Sequence, residues 1–178
     1  MRRAIILDTE TTGLDPDHGH RIIEIAGIEW FDYRPTGRYF HYRLDPQRPV
    51  DPEAAAVHGI TWEDLAGCPT WAEVQGDVLS WLDGSQVVAH YAPFDVNHID
   101  AEIQRLDHLT PGVTDRAEVV CTKELAKGVL PDLPSHRLDS LLDHYEIDRS
   151  RREAEGHGAL LDCQLLAEVY ERLLEEGW

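Results

Sequence analysis

Five side chains, scattered along the 178-residue chain, have the types and settings to do chemistry together. Asp8 and Glu10 follow the apolar run at residues 4–7, and a spacing of two along an extended strand points both carboxylates to one face. Asp95 stands in the first turn of a segment with helical apolar spacing, just after Pro93, which suits a first helical position. It lines up with Ile99, Ile103 and Leu106 on the inward stripe. Asp162 repeats the pattern, its stripe running on through Leu166, Val169 and Leu173. Taken singly, each acid reads as a solvated strand end or as a carboxylate favoured by a helix macrodipole. Taken together, two apolar stripes that pack on the sheet whose first strand ends in Asp8 and Glu10 make a shared site the better reading.

Such a cluster needs a counter-charge, because two carboxylates ~4 Å apart repel by about 4 kcal/mol at an effective dielectric near 20. Hard divalent cations supply it. Oxygen-only ligands select Mg2+ or Mn2+ over zinc, and two such ions clamp the attacking and leaving oxygens of an in-line phosphoryl displacement. Asp8, Glu10, Asp95 and Asp162 are therefore the expected ligands of two Mg2+ or Mn2+ ions, and phosphodiester hydrolysis is the expected reaction. The attacking water must lose a proton to a base that titrates near neutrality. His157, five residues before Asp162 in the setting Glu155-Gly156-His157-Gly158, is the candidate.

The elements that must carry these residues alternate between strand and helix, without repeats or a long linker, as in one α/β layer structure. Residues 4–7 suit a central strand; residues 21–31 and 38–44 are β-rich runs joined by the turn Arg34-Pro35-Thr36-Gly37, giving an antiparallel meander. Residues 50–58 suit a short helix, and Thr70-Trp71-Ala72-Glu73 is a capping box opening a helix to about Asp83. Strands follow at 86–89 and 118–121, and helices at 94–106, 122–128, 138–145 and 159–174. The length predicts a single domain over residues 1–178.

Three segments carry a family resemblance. Asp8-Thr9-Glu10-Thr11-Thr12-Gly13-Leu14, His90-Tyr91-Ala92-Pro93-Phe94-Asp95 and His157-Gly158-Ala159-Leu160-Leu161-Asp162 resemble the three exonuclease motifs of the DEDD superfamily, histidine subtype. The likeness is greatest to the epsilon-subunit group, the proofreading nucleases of bacterial DNA polymerase III. It extends into Gly19-His20-Arg21-Ile22-Ile23-Glu24-Ile25, Val57-His58-Gly59-Ile60 and Leu165-Leu166-Ala167-Glu168-Val169-Tyr170. The resemblance implies an RNase H-like fold with a mixed five-stranded sheet flanked by helices, and 3′ to 5′ exonuclease activity. In that reading Asp8 bridges both metals, Glu10 and Asp162 complete the first, Asp95 serves the second and His157 is the general base. The 3′-terminal nucleotide is gripped near the backbone of Thr9, with its base against Leu14, Val57, His58 and Phe94. The implied partners are a single-stranded or frayed 3′ end, DNA favoured over RNA, and a replicative DNA polymerase. Two departures stand out. Tyr91 occupies the place where the family usually has Asn, and the sequence ends at Trp178, where epsilon subunits continue into a polymerase-binding tail. The chain thus reads either as an isolated nuclease domain or as a stand-alone enzyme. Rival readings are an exoribonuclease of the same superfamily and a non-catalytic polymerase accessory module.

Composition sets the outer bounds. A formal charge of -18 runs against a nucleic-acid function, because phosphate binding normally shows a basic footprint, unless part of the acid serves to hold cations. Lysine occurs only at Lys123 and Lys127, and so acidic, lysine-poor a surface suggests a high-salt cytoplasm. Cys68, Cys121 and Cys163 lack disulfide or zinc-knuckle spacing and read as buried reduced thiols. Nothing resembles a signal peptide or membrane span, so a cytoplasmic protein is expected. Arg149, Arg151 and Arg152 read equally as phosphate contacts or as an exposed helix end, and Trp62, Trp71 and Trp81 as packing residues.

Overall fold

The computed structural model describes residues 2–177, and in it the first strand does not stop where the chemistry begins. Strand β1 (Arg3–Thr11) runs on through Asp8 and Glu10. It pairs antiparallel with β2 (Ile22–Phe31) along its whole length, yet pairs with the parallel strand β4 (Gln86–Ala89) only from Ala4 to Ile6. The remainder of β1 therefore overhangs β4. The resulting notch lies at the carboxyl ends of two parallel strands, where open α/β sheets take their ligands. Strands β3 (Arg34–Arg43) and β5 (Glu118–Cys121) complete a mixed five-stranded sheet in the order β3-β2-β1-β4-β5.

Alternation along β1 splits the core in two. Ile5 and Leu7 face α2 (Trp71–Leu82) and α3 (Pro93–Leu106), packing with Val78, Ile99 and Ile103. Ala4 and Ile6 face α8 (Ala159–Gly177), packing with Leu166, Val169 and Leu173. Each of these side chains other than that of Ala4 contributes roughly 1.5–3 kcal/mol by leaving water. Five shorter helices fill the remaining flanks: α1 (Pro52–His58), α4 (Val113–Arg116), α5 (Thr122–Val129), α6 (Leu138–His144) and α7 (Ser150–Glu155). The expected fold class is thus the observed one.

Several local expectations are corrected. The β2–β3 hairpin turns at Asp32-Tyr33, both left-handed with φ of 46° and 63°, as the tight turns that match strand twist require. Arg34-Pro35-Thr36-Gly37 lies inside β3, where Pro35 opposes Trp30 beside a register shift. The helix expected over 50–58 begins at Pro52, after Asp51. The inward stripe of α3 ends at Ile103, because Leu106 is exposed in the last turn. Trp71 is buried and Trp81 packs against Phe40, but Trp62 is exposed and is no packing residue. Cys163 is buried, while Cys68 and Cys121 are half-buried free thiols. The short helices α4 and α7 were not expected from apolar spacing; four and six residues are too few to show a period. No helix among the described residues is long and apolar enough to cross a membrane.

Candidate active site

Each functional side chain arrives on an element with a reason to be there. Asp8 and Glu10 share the α8 face of β1, opposite Ala26 and Glu24 of β2. Small residues line that face: Ala26 packs with Ala159 and Cys163, so the first turn of α8 comes close to the sheet and brings Asp162 with it. Thr9 points to the other face, and its hydroxyl donates to Asp95 Oδ1 at 2.7 Å, drawing the first turn of α3 to the same strand end. The acids thus arrive from both faces and meet beyond the end of β4. Asp8, Glu10, Asp95, His157 and Asp162 line one recess of about 190 Å³.

The electrostatics are those of a cluster short of positive charge. Burial, then the charges of Asp162, Asp95 and Glu10, raises the Asp8 carboxyl well above its ordinary value. Burial, then Asp162 and Glu24, does the same to Glu10. Asp95, 3% exposed, is pushed up to about 7 by burial despite its bond from Thr9. Asp162 is raised by burial against the pull of Arg152. Glu10, His157 and Asp162 present ligand atoms all within 4.8 Å of one another, and Asp8 and Asp95 add carboxylates to the same recess. An oxygen-rich donor set of this kind fits hard divalent cations.

Arg152 was read only as one of a basic trio, yet it is 8% exposed and lies inside the cluster. Its Nε and one terminal nitrogen donate to the two oxygens of Asp162 at 2.8 and 2.9 Å, and the other terminal nitrogen binds Asp139. The nitrogen on Asp162 Oδ2 also lies 2.9 Å from His157 Nδ1. A guanidinium can only donate, so this contact leaves the lone pair on Nδ1 and the ring proton on Nε2. Burial and the Arg152 charge lower the His157 pKa, so the neutral ring prevails. Arg149 and Arg151 are instead paired with acids at the surface of α7 and α6. The hint in the sequence was an arginine one short segment before a histidine and an aspartate, in a chain with 34 acids and 16 lysines and arginines.

Glu24 is the second residue that sequence reasoning left without a role. It is a charge in a strand otherwise buried on both faces, at 2% exposure. Its carboxylate accepts the Ala159 amide at 3.1 Å and His41 Nε2 at 2.6 Å, tying β2 and β3 to the first turn of α8, two residues beyond His157. Gly156 takes φ 83° and ψ -177°, a backbone only glycine adopts readily, to turn α7 back toward the site.

The other expected contacts gather next door. Leu14, Val57, His58 and Phe94 line a recess of about 490 Å³ that shares Glu10 and Phe94 with the acid cluster, and Thr9 lies in the acid recess itself. Leu14 and Val57 are exposed, offering apolar surface. His58 is committed to the backbone: Nδ1 accepts the Ile60 amide at 3.1 Å and Nε2 donates to Thr11 O at 3.2 Å. Gly13 gives the His20 ring room to close one wall, since a Cβ there would lie 2.3 Å from it.

Carboxylates converging from both faces of a mixed sheet, with a histidine two residues before the last helix, are the arrangement expected of a 3′ to 5′ exonuclease of the DEDD superfamily, histidine subtype. The chain belongs to this exonuclease family, whose RNase_T model matches residues 5–170. It is 40% identical over 172 residues to the DNA polymerase III subunit epsilon of Rickettsia conorii, covering 97% of this chain and 74% of that one. To the Escherichia coli subunit epsilon it is 43% identical over 174 residues, covering 96% and 70%. Among solved structures, exonuclease X in complex with 5′ overhanging duplex DNA matches with a TM-score of 0.74 at 27% identity, covering 100% of this chain and 94% of that one. Escherichia coli exonuclease I bound to single-stranded DNA shares the fold, with a TM-score of 0.80 at 17% identity over 98% of this chain and 42% of that one.

Proposed function

We propose that this chain is a proofreading or repair-type nuclease that removes nucleoside 5′-monophosphates one at a time from single-stranded or frayed DNA 3′ ends. The observation that carries this reading is the adjacency of two recesses: one of about 190 Å³ lined by four acids and a histidine, and one of about 490 Å³ with apolar walls, joined at Glu10 and Phe94. The acids, with cations bound to them, suit the reacting phosphate, and the apolar recess suits the terminal nucleotide. Support for DNA comes from the relatives, which are named as polymerase subunits, and from exonuclease X, which was solved with DNA.

In this reading Asp8, Glu10, Asp95 and Asp162 would hold two Mg2+ or Mn2+ ions. Bound there, the ions supply Lewis-acid charge that offsets the phosphate and makes the attacking water more acidic. Thr9 fixes the Asp95 carboxylate through its hydroxyl. His157 takes the water's proton at Nδ1, the ring atom facing Asp162 at 3.6 Å. Arg152, which also donates to Nδ1, keeps that ring neutral beforehand and must give up this bond for Nδ1 to accept the proton. Leu14, Val57, His58 and Phe94 hold the terminal base and sugar through apolar contact.

Digestion of 5′-labelled DNA and RNA oligonucleotides of one sequence, with magnesium, manganese or chelator, tests the proposal. The expected result is a ladder shortening from the 3′ end, only with metal, and faster on DNA. Faster shortening of RNA would select the exoribonuclease reading, and no metal-stimulated shortening of either would leave the accessory-module reading.

A further inference from the structure

The -18 chain has only two lysines, and one of them lies against a residue that lines the acid recess. Lys123, in the first turn of α5, places its ammonium 4.7 Å from the centroid of the Tyr91 ring. Tyr91 lines the acid recess but not the apolar one. It is 51% exposed and sits at φ 65°, a left-handed conformation that Asn and Gly adopt readily and a bulky aromatic does not. The turn that holds it is fixed on its N-terminal side. His90 Nδ1 donates to the Thr122 hydroxyl at 3.0 Å, and that hydroxyl donates to Ala89 O at 3.2 Å, locking the end of β4 to the start of α5. The left-handed backbone thus presents a half-exposed ring beside the acids, with a cation over one face.

We propose that Tyr91 and Lys123 form a second nucleotide subsite, taking the unpaired nucleotide immediately 5′ of the one being removed. The reading rests on the exonuclease activity proposed above. The terminal nucleotide fills the apolar recess, so the strand must leave the acids on the side that this recess does not reach, and Tyr91 is the exposed ring on that side. The ring face offers a stacking platform for any base, and the ammonium pairs with the adjoining phosphate in an otherwise acidic surface. Such a grip acts only on an unpaired base. It therefore selects single-stranded or frayed ends over duplex without reading sequence.

The test pairs a protein change with a substrate change. KM is measured for the wild type, Tyr91→Asn and Tyr91→Phe on single-stranded DNA that carries one abasic residue at the first, second or third position from the 3′ end. For the wild type, an abasic second position should raise KM about tenfold, the size of one lost base–aromatic stack. Tyr91→Asn should raise KM about tenfold on intact DNA and no longer distinguish the abasic second position; Tyr91→Phe should keep the distinction. Because Asn relieves the left-handed strain, Tyr91→Asn should melt no lower than the wild type, which separates lost stacking from lost folding. An active wild type indifferent to the abasic second position, or a Tyr91→Asn chain that still senses it, overturns the subsite alone. A wild type that shortens none of the oligonucleotides overturns the parent reading as well.

Discussion

Two sets of buried acids in this chain differ in one respect, their counter-charges. Glu29, at 4% exposure, accepts from Arg3, Arg38 and Thr36. Glu102, at 1%, takes both forks of Arg21 at 2.7 and 2.8 Å and the Ile22 amide at 3.1 Å. Burial pushes Glu24 and Glu29 up, but bonds from His41 and Arg3 respectively, with neighbouring charges, carry both carboxyls below their ordinary values. In the active site four acids meet, Arg152 is the one cation bonded to them among the described residues, and all four carboxyls lie above their ordinary values. A buried acid with its own arginine braces the fold. A cluster that outnumbers its arginines could hold cations from solution.

Substitution in each set should break in opposite ways. Asp8→Ala should reduce hydrolysis to background yet raise the melting temperature of the chelated protein, since it removes repulsion; an Asp8→Ala chain with wild-type turnover contradicts the site. His157→Ala should cost on the order of 10² to 10⁴ in rate with saturating metal, read in a single-turnover assay, and an unchanged rate would demote it to a loop histidine. Glu102→Ala should do the reverse, destabilising by roughly 3 kcal/mol because Arg21 is left unpaired, while the folded fraction still cleaves. Denaturant melts with and without substrate separate the two outcomes.

A smaller effect sharpens the contrast through pH. The folded metal-free chain keeps protons on Asp8, Glu10, Asp162 and Asp95, the last with a pKa of about 7, which the unfolded chain has already released near the ordinary carboxylate value. The contribution of these four groups to stability is therefore greatest below that value and is lost as pH rises through their folded pKa values. His58, His90, His98 and His157 are lowered, His90 to about 4, so they oppose this trend only below their ordinary value of 6.5. Between about pH 6.5 and 8 the Asp95 carboxyl, at about 7, titrates above the range in which these histidines act. Calorimetric melts in chelator should fall over that window by on the order of 1 kcal/mol of stability per fully titrating group, and magnesium should flatten the slope.

Much of this was legible in the sequence, for identifiable reasons. Asp8 and Glu10 announced themselves because a charge directly after a buried strand breaks its pattern, and Asp95 and Asp162 because they interrupt stripes of Ile and Leu long enough to show a period. The strands at 86–89 and 118–121 were bounded correctly, since short β-branched runs have few alternatives. The hairpin turn was misplaced because Pro and Gly at 35 and 37 signal a turn more strongly than Asp32-Tyr33, although the left-handed pair makes it. Arg152 was hidden because its helix has six residues and its partners lie 5, 10 and 13 positions away, a convergence no local pattern encodes. Glu24 was hidden because its role is to hold Ala159, 135 residues later.

The contrast between the two sets of acids comes down to whether metal displaces protons from the cluster. Titration of Mn2+ into chelated protein at pH 7, by calorimetry in two buffers of different ionisation enthalpy, measures metal uptake and proton release together. Saturable binding with protons released, and both lost in Asp8→Ala, is the predicted result. Binding without proton release, or no binding at millimolar Mn2+, would show that these carboxylates are neither short of charge nor waiting for cations.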